Sequence, residues 1–179
     1  VWGNNEFGQV GDGTTTNRLA PVQVAGLTGV MTVVAGGGHT VALKNDGTVW
    51  AWGNNDSGQI GNETNINRVL TPVQVTGLTG VAAVAAGGRH TVAVKNDGTV
   101  WARGNNDSGQ LGDGTTVNRL TPVPVPGISG VSALGMAVKY VGGQYSTRVH
   151  RGQPGAVEPL RPVPAAKQRE ALDFLARRA

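Results

Sequence analysis

One string returns along this chain at a nearly fixed spacing, and that constrains its fold more than anything else it contains. Residues 1–48 read VWGNNEFGQVGDGTTTNRLAPVQVAGLTGVMTVVAGGGHTVALKNDGT. Residues 49–98 read VWAWGNNDSGQIGNETNINRVLTPVQVTGLTGVAAVAAGGRHTVAVKNDG, and a third copy over 99–134 stops short after GVSAL. Gly3, Gly53 and Gly104 mark the register, 50 and then 51 residues apart, because the first copy lacks one residue between Arg18 and Pro21. A period near 50 is the signature of a propeller or similar array, in which each unit buries its apolar face only against its neighbours.

Each copy reads as short strands and tight turns, which suits a chain with 29 glycines in 179 residues. HTVALK and TVWAWG flank Asn45-Asp46-Gly47, and Asn96-Asp97-Gly98 repeats the pattern. Asp-Gly between two β-prone runs signals a hairpin, since Gly accepts positive φ and Asp tolerates the turn. VMTVVA at 30–35 and VAAVAA at 81–86 are further strands, each running through glycines into His39 or His90. PVQV at 21–24 and 72–75 starts with proline, which cannot donate to a ladder, so it is expected at an edge or a strand start. That makes about four strands per copy, the content of one propeller blade. The Gly-x-Gly-Thr-Thr stretch from Gly112 to Thr116 is expected to connect blades.

GNNDSGQLGDGTT, then TPVPV, and in the preceding copy GGRHTVAVKNDGTVWA, resemble the repeats of the regulator of chromosome condensation family in the form common in bacteria. The resemblance covers residues 1–134 and implies a β-propeller, usually of seven blades, each completed by strands from neighbouring repeats. The expected fold class is therefore all-β, a partial propeller of about 2.5 four-stranded blades, where closure takes at least about four. A start inside a strand at Val1 is expected of a piece of a longer array. The nucleotide-exchange activity toward a small GTPase found in that family has no residue here to which it can be assigned. At the register position Trp2 and Trp52 are replaced by Arg103. An arginine there is expected to lay its stem over the same interblade surface with its head in water.

Catalytic and metal chemistry find little support. His39 and His90 recur once per copy, whereas catalysis needs one constellation, so each is expected to tie a strand turn to its neighbour. His150 stands alone, and two histidines 51 residues apart without a third ligand make a poor metal site. Asp107 and Asp113 lack the spacing and terminal glutamate of an EF-hand loop. The Gly-x-Gly clusters lack the Lys-Ser/Thr ending of a phosphate loop. Without cysteine there are no disulfides or thiolate metal sites. No catalytic, metal or cofactor-binding residue is expected, and no cofactor.

The formal charge of +4 is unevenly placed. Residues 1–134 hold seven basic and eight acidic side chains, a net of −1, while residues 135–179 hold eight and three, a net of +5. The repeats thus lack the electrostatic footprint of a nucleic-acid binder. No apolar run approaches the ~18 residues that span a membrane. From Met136 the chain turns proline-rich, and AAKQREALDFLARR predicts a helix over about 165–178, with Pro164 at its start and Arg177 and Arg178 at its dipole end. KYVGGQYSTRVHRG and PLRPVPAAKQREALDFLARRA resemble a segment of a bacterial family of secreted-type zinc metalloproteases, without the His-Glu-x-x-His that would hold zinc.

The expected function is a non-enzymatic repeat module, a protein-interaction scaffold presented by propeller loops. The expected partner-binding loops are Asn4, Asn5, Glu6 and Phe7, then Asn54, Asn55, Asp56 and Ser57, then Asn105, Asn106, Asp107 and Ser108. Two alternatives stand beside it: an inactive fragment of a zinc metalloprotease with an accessory repeat domain, and a chimeric or truncated product with no independent function. The expected partner is a protein, with no nucleic acid binding by the repeats and no membrane, and with self-association through exposed blade faces. The resemblance points to a bacterial extracellular or cell-envelope location.

Overall fold

A computed structural model describes residues 1–64, 66–132 and 134. The expected helix over 165–178, and the rest of the segment from 135 onward, lie outside the described residues. Within them the chain is all-β, with two four-stranded antiparallel sheets. The first comprises β1 (Val30–Ala35), β2 (His39–Lys44), β3 (Val49–Asn54) and β4 (Arg68–Gln74) in that spatial order. The second comprises β5 (Val81–Ala86), β6 (His90–Lys95), β7 (Val100–Gly104) and β8 (Arg119–Pro124), again in order.

The sheets are staggered against the sequence copies. Three strands come from around the junction of two copies, and the fourth follows the long loop of the next copy, so no sheet is built from one copy alone. The proline-bearing strands are the outer edges, as the missing N–H of Pro72 and Pro122 requires. In the first copy PVQV forms no strand; Val1–Gly3 instead pairs back on Arg18–Val22, through a bridge between Gly3 and Arg18 and reciprocal bonds between Val1 and Val22. This is a short antiparallel ladder outside the two sheets. Gly112–Thr116 does not connect blades, contrary to the sequence expectation. It lies in the loop 105–118 that joins β7 to β8 inside one sheet. At the other end, Val131 donates its amide to Gly98 as Val81 does to Gly47, yet no strand pairing follows among the described residues.

The hairpins form where Asp-Gly predicts them. Asp46 accepts from the amide and hydroxyl of Thr48, and Thr48 accepts from the indole N–H of Trp50, over which Lys44 lies 5.5 Å from the ring centre. Asp97, Thr99, Trp101 and Lys95 repeat the arrangement. Both faces of β2 and β6 are buried, and Val41, Leu43, Val49, Ala51 and Ile60 join residues of β5 in one core. The first strands differ: Val84 is 6% exposed on β5, whereas its counterpart Val33 on β1 is 48% exposed.

The register glycines are forced. Gly53 and Gly104 have φ of +102° and +104°, and a Cβ on either would lie 2.8 Å from the Cα of His39 or His90. Gly36 and Gly87 are demanded by space alone, since a Cβ there would lie 2.3 Å from His39 Cε1 or 2.2 Å from His90 Cε1. Gly87→Ala is therefore expected to lower unfolding free energy by roughly 1–3 kcal/mol through overpacking. A urea titration checks this, and an unchanged midpoint would show that the turn has room to move.

Candidate functional site

The three long loops 4–17, 55–67 and 105–118 all leave the same end of the sheets, beside the glycine turns that lead into β2 and β6. Asn54 donates its amide to Gly38, and Asn105 donates to Arg89, which ties each loop to its turn. Two side-chain clips hold each loop. Asn55, which is buried, donates its amide to the carbonyls of Thr64 and Ile66 and accepts from the amide of Ile60. Asn5 does the same in its loop, while Asn106 donates to the carbonyl of Thr115 and to Asp113 and accepts from the amide of Leu111. The second clip is a glutamine: Gln59 donates to Asn54 and accepts from the amide of Ser57, as Gln9 does with Asn4 and Phe7, and Gln110 with Asn105 and Ser108. A buried amide with all its bonds made fixes a loop, because each bond lost would leave a desolvated group behind.

The residues expected from sequence to meet a partner therefore divide. Asn5, Asn54, Asn55, Ser57 and Asn106 are buried and serve the loop itself. Asn4, Glu6, Asp56, Asp107 and Ser108 are exposed at the tips, with Phe7 and Asn105 half-buried. Asp56 and Asp107 are oriented by amide bonds of 2.8 and 2.7 Å from Asn54 and Asn105. Behind the tips, Asp12 pairs with Arg18 and Asp113 with Arg119, so those cations are spent inside the loops. Between the first tips runs a cleft of ≈ 220 Å³ lined by Phe7, Gly37, Gly38, Asn54, Gly88 and Arg89. Arg68 lies over the Phe7 ring, 5.7 Å from its centre. Sequence reasoning missed Arg89 and the clip glutamines, although a glutamine five residues after the first asparagine of each copy was there to be read. Among the described residues no three metal-ligating side chains cluster.

The seam between the two sheets is polar at its centre. Thr91 donates to the carbonyl of Gln59 at 3.1 Å, and its oxygen accepts from His39 Nε2 at 3.0 Å. Thus His39 ties its turn to the neighbouring sheet, and Nδ1 is left as a buried acceptor without a partner among the described residues. Arg103 does not reach water, contrary to the sequence expectation. It is 1% exposed, and its Nε donates to Gln59 at 2.9 Å, in the place where the indole of Trp52 donates to Gln9 at the same distance. The guanidinium mimics the indole N–H, but Nη2 is left buried and unpartnered, and burial pushes the pKa of Arg103 down to about 9. Burial, then the charges of Arg103 and His90, push His39 down to about 3. The hydroxyl of Thr14 and the guanidinium of Arg18 hold Asp12 at about 2 against the cost of burial.

Arg103→Trp is expected to raise stability by roughly 1–2 kcal/mol, since it removes a buried charge that lacks full pairing and installs the group already accommodated at Trp52. A higher urea midpoint with an unchanged slope checks it; a lower midpoint would show that the cation is needed. Acid should act in two steps. His39 stays neutral when folded while the unfolded chain takes up a proton near pH 6.5, so stability is full above that value and falls as pH drops toward about 3. Asp12 adds a further loss as pH falls from about 4 to about 2. His39→Gln should flatten the first part of the decline and leave the second, as read from unfolding curves across pH.

The Regulator of chromosome condensation (RCC1) repeat model matches residues 1–43 and 46–94, and a second model of that repeat matches 32–59 and 81–110. A model described as Met-zincin matches residues 111–179, beginning inside the last loop of the second sheet. The human E3 ubiquitin-protein ligase HERC2 is 38% identical over 119 residues, 64% of this chain and 2% of that protein. The Ultraviolet-B receptor UVR8 of Arabidopsis thaliana is 31% identical over 120 residues, 64% of this chain and 27% of that protein. The crystal structure of Prp20p from Saccharomyces cerevisiae, described with its binding to Gsp1p and histones, superposes with a TM-score of 0.65 at 22% identity, over 69% of this chain and 33% of that one. The chain thus spans a third or less of each of these proteins.

Proposed function

The chain belongs to the Regulator of chromosome condensation (RCC1) repeat family, and we propose that it is a non-enzymatic protein-interaction module that binds its partner across the loop-tip face. The observation that carries this reading is the repeated, rigid presentation of an exposed carboxylate, Glu6, Asp56 and Asp107, at the same place in each successive copy. Buried asparagine and glutamine clips hold the loops, so little ordering remains to oppose binding. The acids are unpaired with cations of their own loops, because Arg18 and Arg119 are engaged behind the tips. A protein segment with basic side chains suits such a row, and the cleft between Phe7 and Arg89 can take one small side chain beside it. The protein partners named for Prp20p support a protein as the ligand.

A Lys/Arg-rich peptide is expected to bind the chain with an affinity that falls as salt rises. Combining Glu6→Gln, Asp56→Asn and Asp107→Asn should weaken that binding by about tenfold, the sum of three rim charges worth roughly 0.5 kcal/mol each. Isothermal titration at two salt concentrations reads both effects, and unchanged affinity in the triple variant would overturn the proposal. The Met-zincin match favours a second reading, a repeat unit carried by a metalloprotease-type polypeptide. Without His-Glu-x-x-His the 179-residue chain is expected not to hydrolyse peptides with added zinc, and chelator-sensitive turnover would contradict this.

A further inference from the structure

The middle copy departs from its neighbours at one hydrogen-bonding atom. Asp12 and Asp113 each use Oδ1 within their own loop, accepting from Asn5 and Thr14 or from Asn106 and Thr115, and offer Oδ2 to Arg18 or Arg119. Asn62 stands at the same place in loop 55–67. Its Oδ1 keeps both internal bonds, from Asn55 and from Thr64. Where the aspartates present a second carboxylate oxygen, Asn62 carries an NH2 group, which is a donor and cannot take a guanidinium. The loop stays closed and one cation, Arg68, is released. The copies before and after both keep the ion pair, so the release is particular to Arg68.

Arg68 is turned toward the loop-tip face instead. It pairs with Asn54 across β3 and β4, and its guanidinium lies over Phe7, 5.7 Å from the ring centre. Asn54 and Phe7 are both walls of the ≈ 220 Å³ cleft between the first tips. That cleft holds a second cation, Arg89, at the position where the first copy has Gly38. Both arginines are exposed, and among the described residues neither has a carboxylate within ion-pair distance. A guanidinium laid over an aromatic ring keeps its in-plane N–H groups free, and two such forks beside a glycine-lined cleft suit an oxyanion.

We propose that Arg68 and Arg89 make this cleft an oxyanion site, which takes an acidic or phosphorylated side chain of a protein partner. The site rests on the loop-tip reading only in taking the partner to be a protein. The ligand charge it needs is opposite to the one that suits Glu6, Asp56 and Asp107, so the two fail separately.

Titration with inorganic phosphate tests the site, with chloride at matched ionic strength as the reference. The readout is the nuclear magnetic resonance signals of the Gly37, Gly38 and Gly88 amides and of the Arg68 and Arg89 Nε–H groups. Saturable shifts of these groups are expected. Arg89→Gly, which installs the residue of the first copy, should weaken phosphate binding by about tenfold, the loss of one charge-assisted hydrogen bond. Asn62→Asp should weaken it from outside the cleft, because it restores the carboxylate that holds Arg18 and Arg119 in their loops. Asp56 accepts from Asn54 at the cleft wall and opposes an anion there. Asp56→Asn should therefore tighten phosphate binding while it weakens binding of the Lys/Arg-rich peptide. A neutral peptide carrying one glutamate or one phosphoserine distinguishes the two sources of the oxyanion. Tighter binding of the phosphoserine form would assign the site to a modified partner, tighter binding of the glutamate form to an unmodified one, and binding of neither would overturn the proposal. Shifts that chloride reproduces, or a phosphate affinity unchanged in both Arg89→Gly and Asn62→Asp, would also overturn it.

Discussion

The carbonyl oxygen of Gln59 is the point on which the described architecture turns. It accepts from Thr91 and from Arg103, both on the second sheet, while its own loop belongs to the first. Thr91 in turn accepts from His39 on the first sheet, so the seam is crossed in both directions within a few ångströms. A backbone carbonyl can serve two donors because it has two lone pairs, and it cannot be lost by substitution. What can be lost is its position. The asparagine and glutamine clips that fix the loop are therefore part of the interblade contact, although they touch only their own loop.

This explains why the copies tolerate a change as large as Trp to Arg. The seam asks the side chain for an N–H at one place and for enough carbon to cover a glycine. Trp52 and Arg103 both meet those two demands. The demands that are not relaxed are steric. Gly53 and Gly104 lie against the backbone of His39 and His90, and no side chain fits there.

Much of the fold could be read from sequence because its determinants are local and repeated. The hairpin at Asp46-Gly47 and the strands 30–35 and 81–86 sit where turn chemistry and β-prone runs place them. Proline at 72 marked an outer edge, whereas the matching proline at 21 begins no strand. What could not be read was long-range. Nothing local to Gly112–Thr116 says that the loop returns to its own sheet rather than passing to the next, since that depends on Arg119 and Leu120 finding β7 and Gly58. The buried state of Arg103 was equally hidden, because its acceptor lies 44 residues away. At the loops, composition pointed to asparagine and aspartate together. Only the packing separates Asn55, turned inward, from Asp56, turned to solvent.

The stagger between copies and sheets has a consequence for how such a chain can change in length. A sheet takes its outer strand from beyond the next copy's loop, so the stretch that is repeated and the stretch that folds together are never the same residues. Duplicating or deleting one period keeps the hairpin and loop partners together and renews the seam, whose bonds span close to one period. Genetic exchange within the coding region needs no alignment with structural borders to give a foldable product. Array length is then free to drift in whole periods, with only the two extremities changing what they present.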